Sequence, residues 1–307
     1  MNFAERISWA LLWLVLFSAV SAGQGRSLRT VSVISEPNAA VWIDGVLYGI
    51  TNSDGHLTIK TVSPGKHTIR VRADGFAEAA KAIAPTQKGD ISISLKRSTN
   101  EAWLAFQEGE RLSTSDRIKA TEAYGKAIRL NPKLTAAHLG LARVLSEGGN
   151  QEAALEAIKS LRRITPRNAE ASAIEGRIQK ELGDETKAVA SFRRAIAEGS
   201  GFQPEAYAGL GLLYKEKLEG IDNPDDPEAI KATSEATKNL SMAVKQLSGA
   251  PDAVVIMQVL GLMYEGQKRY KEAIAVYEDC LRTFPNSNDA EAVRSFIVQI
   301  NKELTGQ

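Results

Sequence analysis

The sequence is poor in the residues that most catalytic and metal sites require. Its 307 residues include one cysteine and three histidines. Because Cys280 stands alone, it excludes an intramolecular disulfide and a CxxC site for metal or redox chemistry. The chain also contains no GxSxG, HExxH or GxxxxGK[ST] motif. We therefore expect no enzyme activity, no cofactor and no bound metal.

Net charge is also nearly absent. The 38 Lys and Arg residues face 37 Asp and Glu residues, which leaves a formal charge of +1. Such a balance gives no overall field that would attract nucleic acid or an anionic membrane, so we expect no nucleic-acid partner. With 43% hydrophobic residues, the composition is typical of a soluble chain, and the length leaves room for about two domains.

Long apolar runs are missing except near the N-terminus, where residues 10–20 read ALLWLVLFSAV. This run is too short to span a bilayer comfortably, and the small residues that follow it are of the kind that a signal peptidase accepts. We interpret residues 1–22 as a bacterial-type signal peptide that is cleaved after Ala22, which predicts a periplasmic or secreted protein. The alternative is an uncleaved membrane anchor, because Glu5 offsets Arg6 ahead of the run.

Residues 28–97 alternate apolar and polar side chains with a period of two. Pairs such as Val31 with Val33, or Ile69 with Val71, place apolar side chains on one face of a strand. Turn dipeptides separate the alternating segments: Asp44-Gly45, Asp54-Gly55, Pro64-Gly65 and Asp74-Gly75. Since glycine supports the positive φ of tight turns, the pattern predicts five or six short strands in a small all-β sandwich.

The same stretch resembles the PEGA family. The resemblance rests on SEPNAAVWIDGVLYG and SPGKHTIRVRADGF, in which Ala39 and Phe76 stand where the family usually has Gly and Tyr. The matching residues are Pro37, Ala40, Asp44, Gly45, Gly49, Pro64, Gly65, His67 and Gly75. The resemblance implies an accessory β-domain of the cell envelope and no activity of its own.

Two aromatic residues are the candidate contact residues of this domain. The rings of Trp42 and Tyr48 are of the kind that stacks on sugars or enters partner pockets. The alternative is that they pack in the core or cover an edge of the sandwich. His56 and His67 lack further ligands that would converge on one ion, so we interpret both as residues beside turns or on a solvated strand face.

From Glu101 onwards the apolar period changes to that of Ala-rich helix pairs. The segment LGLLY at residues 210–214 returns as LGLMY at residues 260–264. Pro132 and Pro166 are 34 residues apart, and so are Pro251 and Pro285. A fixed period of this size predicts a repeat architecture.

These helix pairs resemble the tetratricopeptide repeat (TPR) family, in which small and large side chains recur at fixed positions of two antiparallel helices. The matching second-helix positions are Ala120, Tyr124, Ala127, Ala154, Ile158, Leu161, Ala188, Phe192, Ala195, Ala273, Tyr277 and Cys280. The resemblance implies an all-α TPR superhelix, an α-α solenoid, with about five repeats over residues 101–286 and a capping helix over residues 287–305.

The fourth repeat departs from the 34-residue period through an acidic insertion near residues 219–228. Its prolines cannot continue a helix, and Asp226 is placed to cap the next one. The insertion is a candidate for a partner contact or a Ca²⁺ site. Because it lacks the glycine-centred spacing and terminal Glu of an EF-hand, we interpret it as a solvated loop.

In the TPR family the first helices line a concave groove. This implies groove positions for Arg143, Arg177, Lys180, Leu212, Lys215 and Leu262. Arg143 and Arg177 are one period apart, so we expect them to lie on adjacent repeats and to hold acidic side chains or a peptide carboxylate. The alternative is intramolecular pairing with nearby glutamates. The family's carboxylate clamp also uses asparagines and lysines that do not match here, so its chaperone-tail ligand is not carried over.

The leading hypothesis from the sequence is a non-catalytic protein-protein interaction scaffold of the cell envelope, which binds a partner protein or peptide in the TPR groove. The alternative is an envelope carbohydrate-binding, peptidoglycan-binding or surface-attachment protein. In that case the PEGA-like domain would contact the glycan and the repeats would serve as a spacer.

Overall fold

The structure is a computed structural model, and it describes residues 28–306. Within these residues seven strands are followed by eleven helices. Residues 1–22, which carry the signal-peptide prediction, lie outside the described residues. None of the described helices is both long enough and apolar enough to cross a membrane.

The first domain is the predicted all-β sandwich. Its strands are β1 (Arg29–Ile34), β2 (Ala40–Ile43), β3 (Val46–Ile50), β4 (His56–Val62), β5 (His67–Arg72), β6 (Ala79–Ile83) and β7 (Gly89–Ser92). One sheet has the order β4-β1-β7, in which β1 and β7 are parallel, and the other has the order β3-β2-β5-β6. The apolar faces predicted from the alternation meet between the sheets, where Val31, Val33, Ile69 and Val71 are fully buried.

The sandwich has seven strands, whereas the sequence pattern predicted five or six. The pattern did not indicate β3 and β6. Both lie at the edges of the four-stranded sheet. Each buries a single side chain, Val46 in β3 and Ile83 in β6. The two-residue turn at Asp44-Gly45, where both φ angles are positive (50° and 86°), reverses the chain into β3.

The second domain is the predicted TPR superhelix. Its helices are α1 (Glu101–Leu112), α2 (Arg117–Leu130), α3 (Thr135–Glu147), α4 (Gln151–Ile164), α5 (Ala169–Glu181), α6 (Glu185–Glu198), α7 (Pro204–Leu218), α8 (Pro227–Leu247), α9 (Ala253–Gly266), α10 (Tyr270–Thr283) and α11 (Ala290–Thr305). They form five antiparallel pairs, and α11 packs on α10. The first helices α1, α3, α5 and α7 also pack side by side.

A small residue on each first helix sets the close approach to the second helix of the pair. These packing residues are Gly109, Ala142, Gly176, Gly211 and Gly261. A Cβ atom added to Gly176 would lie 2.6 Å from the ring of Phe192, and one added to Gly211 would lie 2.6 Å from Leu240. At Gly176 and Gly211 glycine is therefore required by packing, because larger side chains would push the helices apart.

The acidic insertion forms the connection between α7 and α8. Its aspartates are exposed or half-buried, and Asp226 caps α8 by accepting a hydrogen bond of 2.7 Å from the backbone N–H of Glu228. The helix that follows has 21 residues and is the longest in the described part of the chain. The insertion thus lengthens the second helix of the fourth pair.

Candidate functional site in the concave groove

One row of side chains runs along the groove. Each member directly follows a packing residue in the sequence. We call this set the groove row: Glu110, Arg143, Arg177, Leu212 and Leu262. Successive helix residues are rotated by about 100°, which turns these side chains away from the second helix of their own pair. The row changes from charged at its N-terminal end to apolar at its C-terminal end.

Arg143 is held by two glutamates, one from each of the next two first helices, α5 and α7. Its Nη2 donates hydrogen bonds of 3.0 Å to Oε1 of Glu170 and 3.0 Å to Oε2 of Glu205. Burial alone lowers the pKa of Arg143, but the carboxylates of Glu205 and Glu170 outweigh it and raise that pKa above its ordinary value. The guanidinium therefore stays charged, and its Nη2 is occupied by these two carboxylates.

Arg177 is less completely paired. Its Nη1 lies 3.7 Å from Oε1 of Glu205, which is longer than a hydrogen bond. Its Nε and Nη2 atoms are shielded from solvent and have no hydrogen-bond partner among the described residues, and the same holds for Oε1 of Glu205. Buried polar groups are normally satisfied. Arg177 therefore has donors that the described residues do not satisfy, and the carboxylate of a ligand would satisfy them once the guanidinium turns toward the groove.

The two groove lysines also form intramolecular pairs. Nζ of Lys180 donates a hydrogen bond of 2.6 Å to Glu216, and Nζ of Lys215 donates one of 2.7 Å to Glu219. The structure thus shows the intramolecular pairing that was the alternative for this surface. Such exposed pairs contribute little to stability.

The apolar end of the groove row is open to solvent. Leu212 is half-buried, and Leu262 is 44% exposed. Val255, about two helical turns before Leu262 on α9, is 59% exposed, and Val298 on α11 is 54% exposed. Leu139 on α3, by contrast, is buried in the apolar core beside α4. Within the groove row, the exposed apolar side chains therefore lie toward the C-terminal end of the array.

The two candidate residues of the sandwich are engaged within the chain. The ring of Trp42 lies 4.5 Å from the guanidinium carbon of Arg70 and 5.0 Å from that of Arg72. The hydroxyl of Tyr48 donates to the carbonyl oxygens of Leu247 (3.3 Å) and Ser248 (3.1 Å), and burial raises the pKa of Tyr48 to about 12. Tyr48 thus packs against the helical domain, which matches the structural alternative for these rings.

Ser63, His67 and Asp44 lie in the order of a hydrolytic triad, which the sequence pattern did not indicate. Nδ1 of His67 is 2.6 Å from Oδ2 of Asp44, and Nε2 is 3.3 Å from Oγ of Ser63. However, Nε2 lies closer, at 2.9 Å, to the carbonyl oxygen of Ser63. A carbonyl oxygen only accepts hydrogen bonds, so the shorter contact of Nε2 is not the one that a triad requires. The imidazole joins two turns of the sandwich.

Among the described residues no three metal-binding side chains converge on one point. The resident charged groups of the groove are arginines, lysines and glutamates. Their arrangement suits recognition of a carboxylate and of apolar side chains.

Comparisons with known proteins agree with this architecture. The sequence profile of the PEGA domain matches residues 28–100. Two tetratricopeptide-repeat profiles match residues 112–178, and residues 169–197 and 255–287. No curated protein sequence matches the chain significantly. The profiles indicate no enzyme family, and tetratricopeptide repeats support a protein-interaction fold.

Solved structures share the fold of the helical domain. Yeast Tom70 has 17% sequence identity and a TM-score of 0.55, and the match covers 67% of this chain and 41% of Tom70. A chain of the APC/C hetero-tetramer Cut9–Hcn1 has 17% identity and a TM-score of 0.51, with 68% and 38% covered. MamA has 22% identity and a TM-score of 0.43, with 63% and 96% covered. At these identities the likeness concerns the fold alone, and the chain carries an N-terminal PEGA domain followed by a tetratricopeptide-repeat array.

Proposed function

We propose that this protein is a non-catalytic scaffold whose concave groove binds an extended segment of a partner protein. The observation that carries the proposal is the polarity of the groove row, in which Arg177 has unused donors and Leu262 is exposed. A segment with an acidic residue followed by apolar side chains complements this row. Arg143, which two glutamates already hold, positions the neighbouring carboxylates.

Binding of an envelope glycan or peptidoglycan through the sandwich is the second candidate. It requires an aromatic face that is free to stack on sugar rings. Trp42 lies beside two arginines and Tyr48 packs on α8. These contacts favour the protein partner over the glycan.

A photo-crosslinking amino acid tests the groove proposal in the full-length chain. We expect a probe at Leu262 to form a covalent adduct with a partner protein in cell-envelope extracts. The matched control is Ile118, an apolar residue of α2 that is 76% exposed and lies outside the groove row. Equal adducts at both positions would contradict binding in the groove, and retention of cell-wall glycan without a protein adduct would support the second candidate.

We also propose that the chain is exported to the periplasm or secreted. The support is the short apolar run at residues 10–20 with small residues at positions 20–22. N-terminal sequencing of the mature protein is expected to begin at Gly23. A protein that still begins at Met1 would contradict cleavage and would favour the membrane-anchor alternative.

A further inference from the structure

The sandwich contacts the helical array at two places that are far apart in the sequence. The first place, the α1 contact, follows directly from the short link between the domains. The second place, the turn contact, lies at the connection between α8 and α9. The α1 contact involves the first helix of the first pair, and the turn contact lies at the end of the fourth pair.

The α1 contact is polar and buried at its centre. Gln107 of α1 is 4% exposed, and its side-chain amide donates a hydrogen bond of 2.8 Å to the carbonyl oxygen of Ala73. The indole N–H of Trp103 donates one of 2.9 Å to the carbonyl oxygen of Phe76. These bonds fix the sandwich to the first helix.

Arg72 of β5 extends the α1 contact into the groove. Its Nη1 donates to Oε2 of Glu110 (3.1 Å), the first member of the groove row, whose Oε1 accepts from the hydroxyl of Tyr124 (2.7 Å). The guanidinium carbon of Arg72 lies 4.8 Å from the ring centre of Phe106. The sandwich therefore occupies the N-terminal end of the groove, and the free part of the row begins at Arg143.

The turn contact involves both packing and hydrogen bonds. Val46 of β3 is 8% exposed and belongs to the same apolar cluster as Leu247 and Ala250 of the fourth pair. Tyr48, two residues later, donates to the carbonyl oxygens of Leu247 and Ser248, about 200 residues away in the sequence. This strand edge is therefore covered by the array.

Gly249 lets the backbone of the turn approach the sandwich. Oγ1 of Thr61 donates to the carbonyl oxygen of Gly249 at 3.3 Å. A Cβ atom added to Gly249 would lie 2.4 Å from Thr61, and the φ angle there is +86°. No side chain fits in this space without separating the two domains.

Repeat arrays normally contact only their neighbours, so small rotations between repeats set their curvature. Here the sandwich contacts both the first pair and the end of the fourth pair. The contacts close a ring that runs from β5 through α1 to α8 and back to β3. We propose that the sandwich is an intramolecular clasp that fixes the curvature of the first four repeats, and with it the width of the groove. This inference concerns the shape of the free protein and does not depend on the identity of a groove ligand.

Distance measurement by electron paramagnetic resonance tests the clasp in the full-length chain. Spin labels would be attached through Ser53→Cys in the sandwich and Asp222→Cys in the acidic insertion, which are both exposed, while the native Cys280 is buried. We expect one narrow distance distribution for this parent protein. We expect Gly249→Ala to broaden it and to shift it by more than about 5 Å, half the diameter of a helix.

The matched control is Gly201→Ala. Gly201 lies in the turn between α6 and α7 with a φ angle of +87°, but a Cβ atom there would meet no atom within 4 Å. It reproduces the backbone strain of Gly249→Ala without the steric clash, so its distribution should match that of the parent. Tyr48→Ala, which removes the hydrogen bonds of the turn contact, should broaden the distribution as well. Parent-like distributions for both Gly249→Ala and Tyr48→Ala would overturn the proposal, and so would equal broadening by Gly201→Ala.

Discussion

Replacement of Gly261 by alanine is expected to lower the free energy of unfolding of the C-terminal repeat by about 1–3 kcal/mol. The added methyl group would lie 2.2 Å from the ring of Tyr277. That ring is fully buried and lies against Phe296, with 5.4 Å between the ring centres. Its hydroxyl is also bound to Glu265. Because the ring has no room to retreat, α9 and α10 must separate.

The same helix provides a matched control in Gly266, where an added Cβ atom would meet nothing within 4 Å. We expect Gly266→Ala to be neutral or to stabilise the chain by up to about 1 kcal/mol, because alanine favours helix. Repeat arrays open locally, so native-state hydrogen exchange in α9–α11 is the suitable measurement. Similar protection in the two variants would show that Gly261 is not a packing residue.

The fold was predictable because its signals are local. The repeated LG segments and the prolines 34 residues apart predicted helix pairs, since each pair is defined by contacts within one period. The alternation of Val31 with Val33 predicted a strand with one buried face for the same reason. The strands β3 and β6 were missed because each buries a single side chain, Val46 and Ile83, and so lacks that alternation.

The contacts of the groove were not predictable, since they depend on how the array curves. The sequence spacing makes Arg143 and Arg177 equivalent. In the structure Arg143 binds two glutamates, whereas Arg177 lies 3.7 Å from one of them. The partner Glu205 is 62 residues from Arg143. The bond of Tyr48 to Ser248 spans 200 residues, and no local pattern indicates it.

Reversal of the charge at Arg177 is expected to weaken partner binding by at least about 30-fold, which corresponds to about 2 kcal/mol or more. Nε and Nη2 of Arg177 have no hydrogen-bond partner among the described residues, and a glutamate at this position would repel an acidic ligand. The conservative change Arg177→Lys keeps the charge but loses the planar fork, so we expect an intermediate loss. The fold should tolerate both changes, because the side chain is 31% exposed and forms one long ion pair.

The most direct test of groove binding is a titration of the crosslinked partner's binding segment into four full-length proteins: wild type, Arg177→Glu, Arg177→Lys and Lys126→Glu. Lys126 is exposed on α2, outside the groove row, and its variant carries the same change of charge as Arg177→Glu. We predict that Lys126→Glu binds like wild type, that Arg177→Lys binds more weakly and that Arg177→Glu binds weakest. Wild-type affinity in Arg177→Glu, or an equal loss in Lys126→Glu, would contradict recognition by the groove.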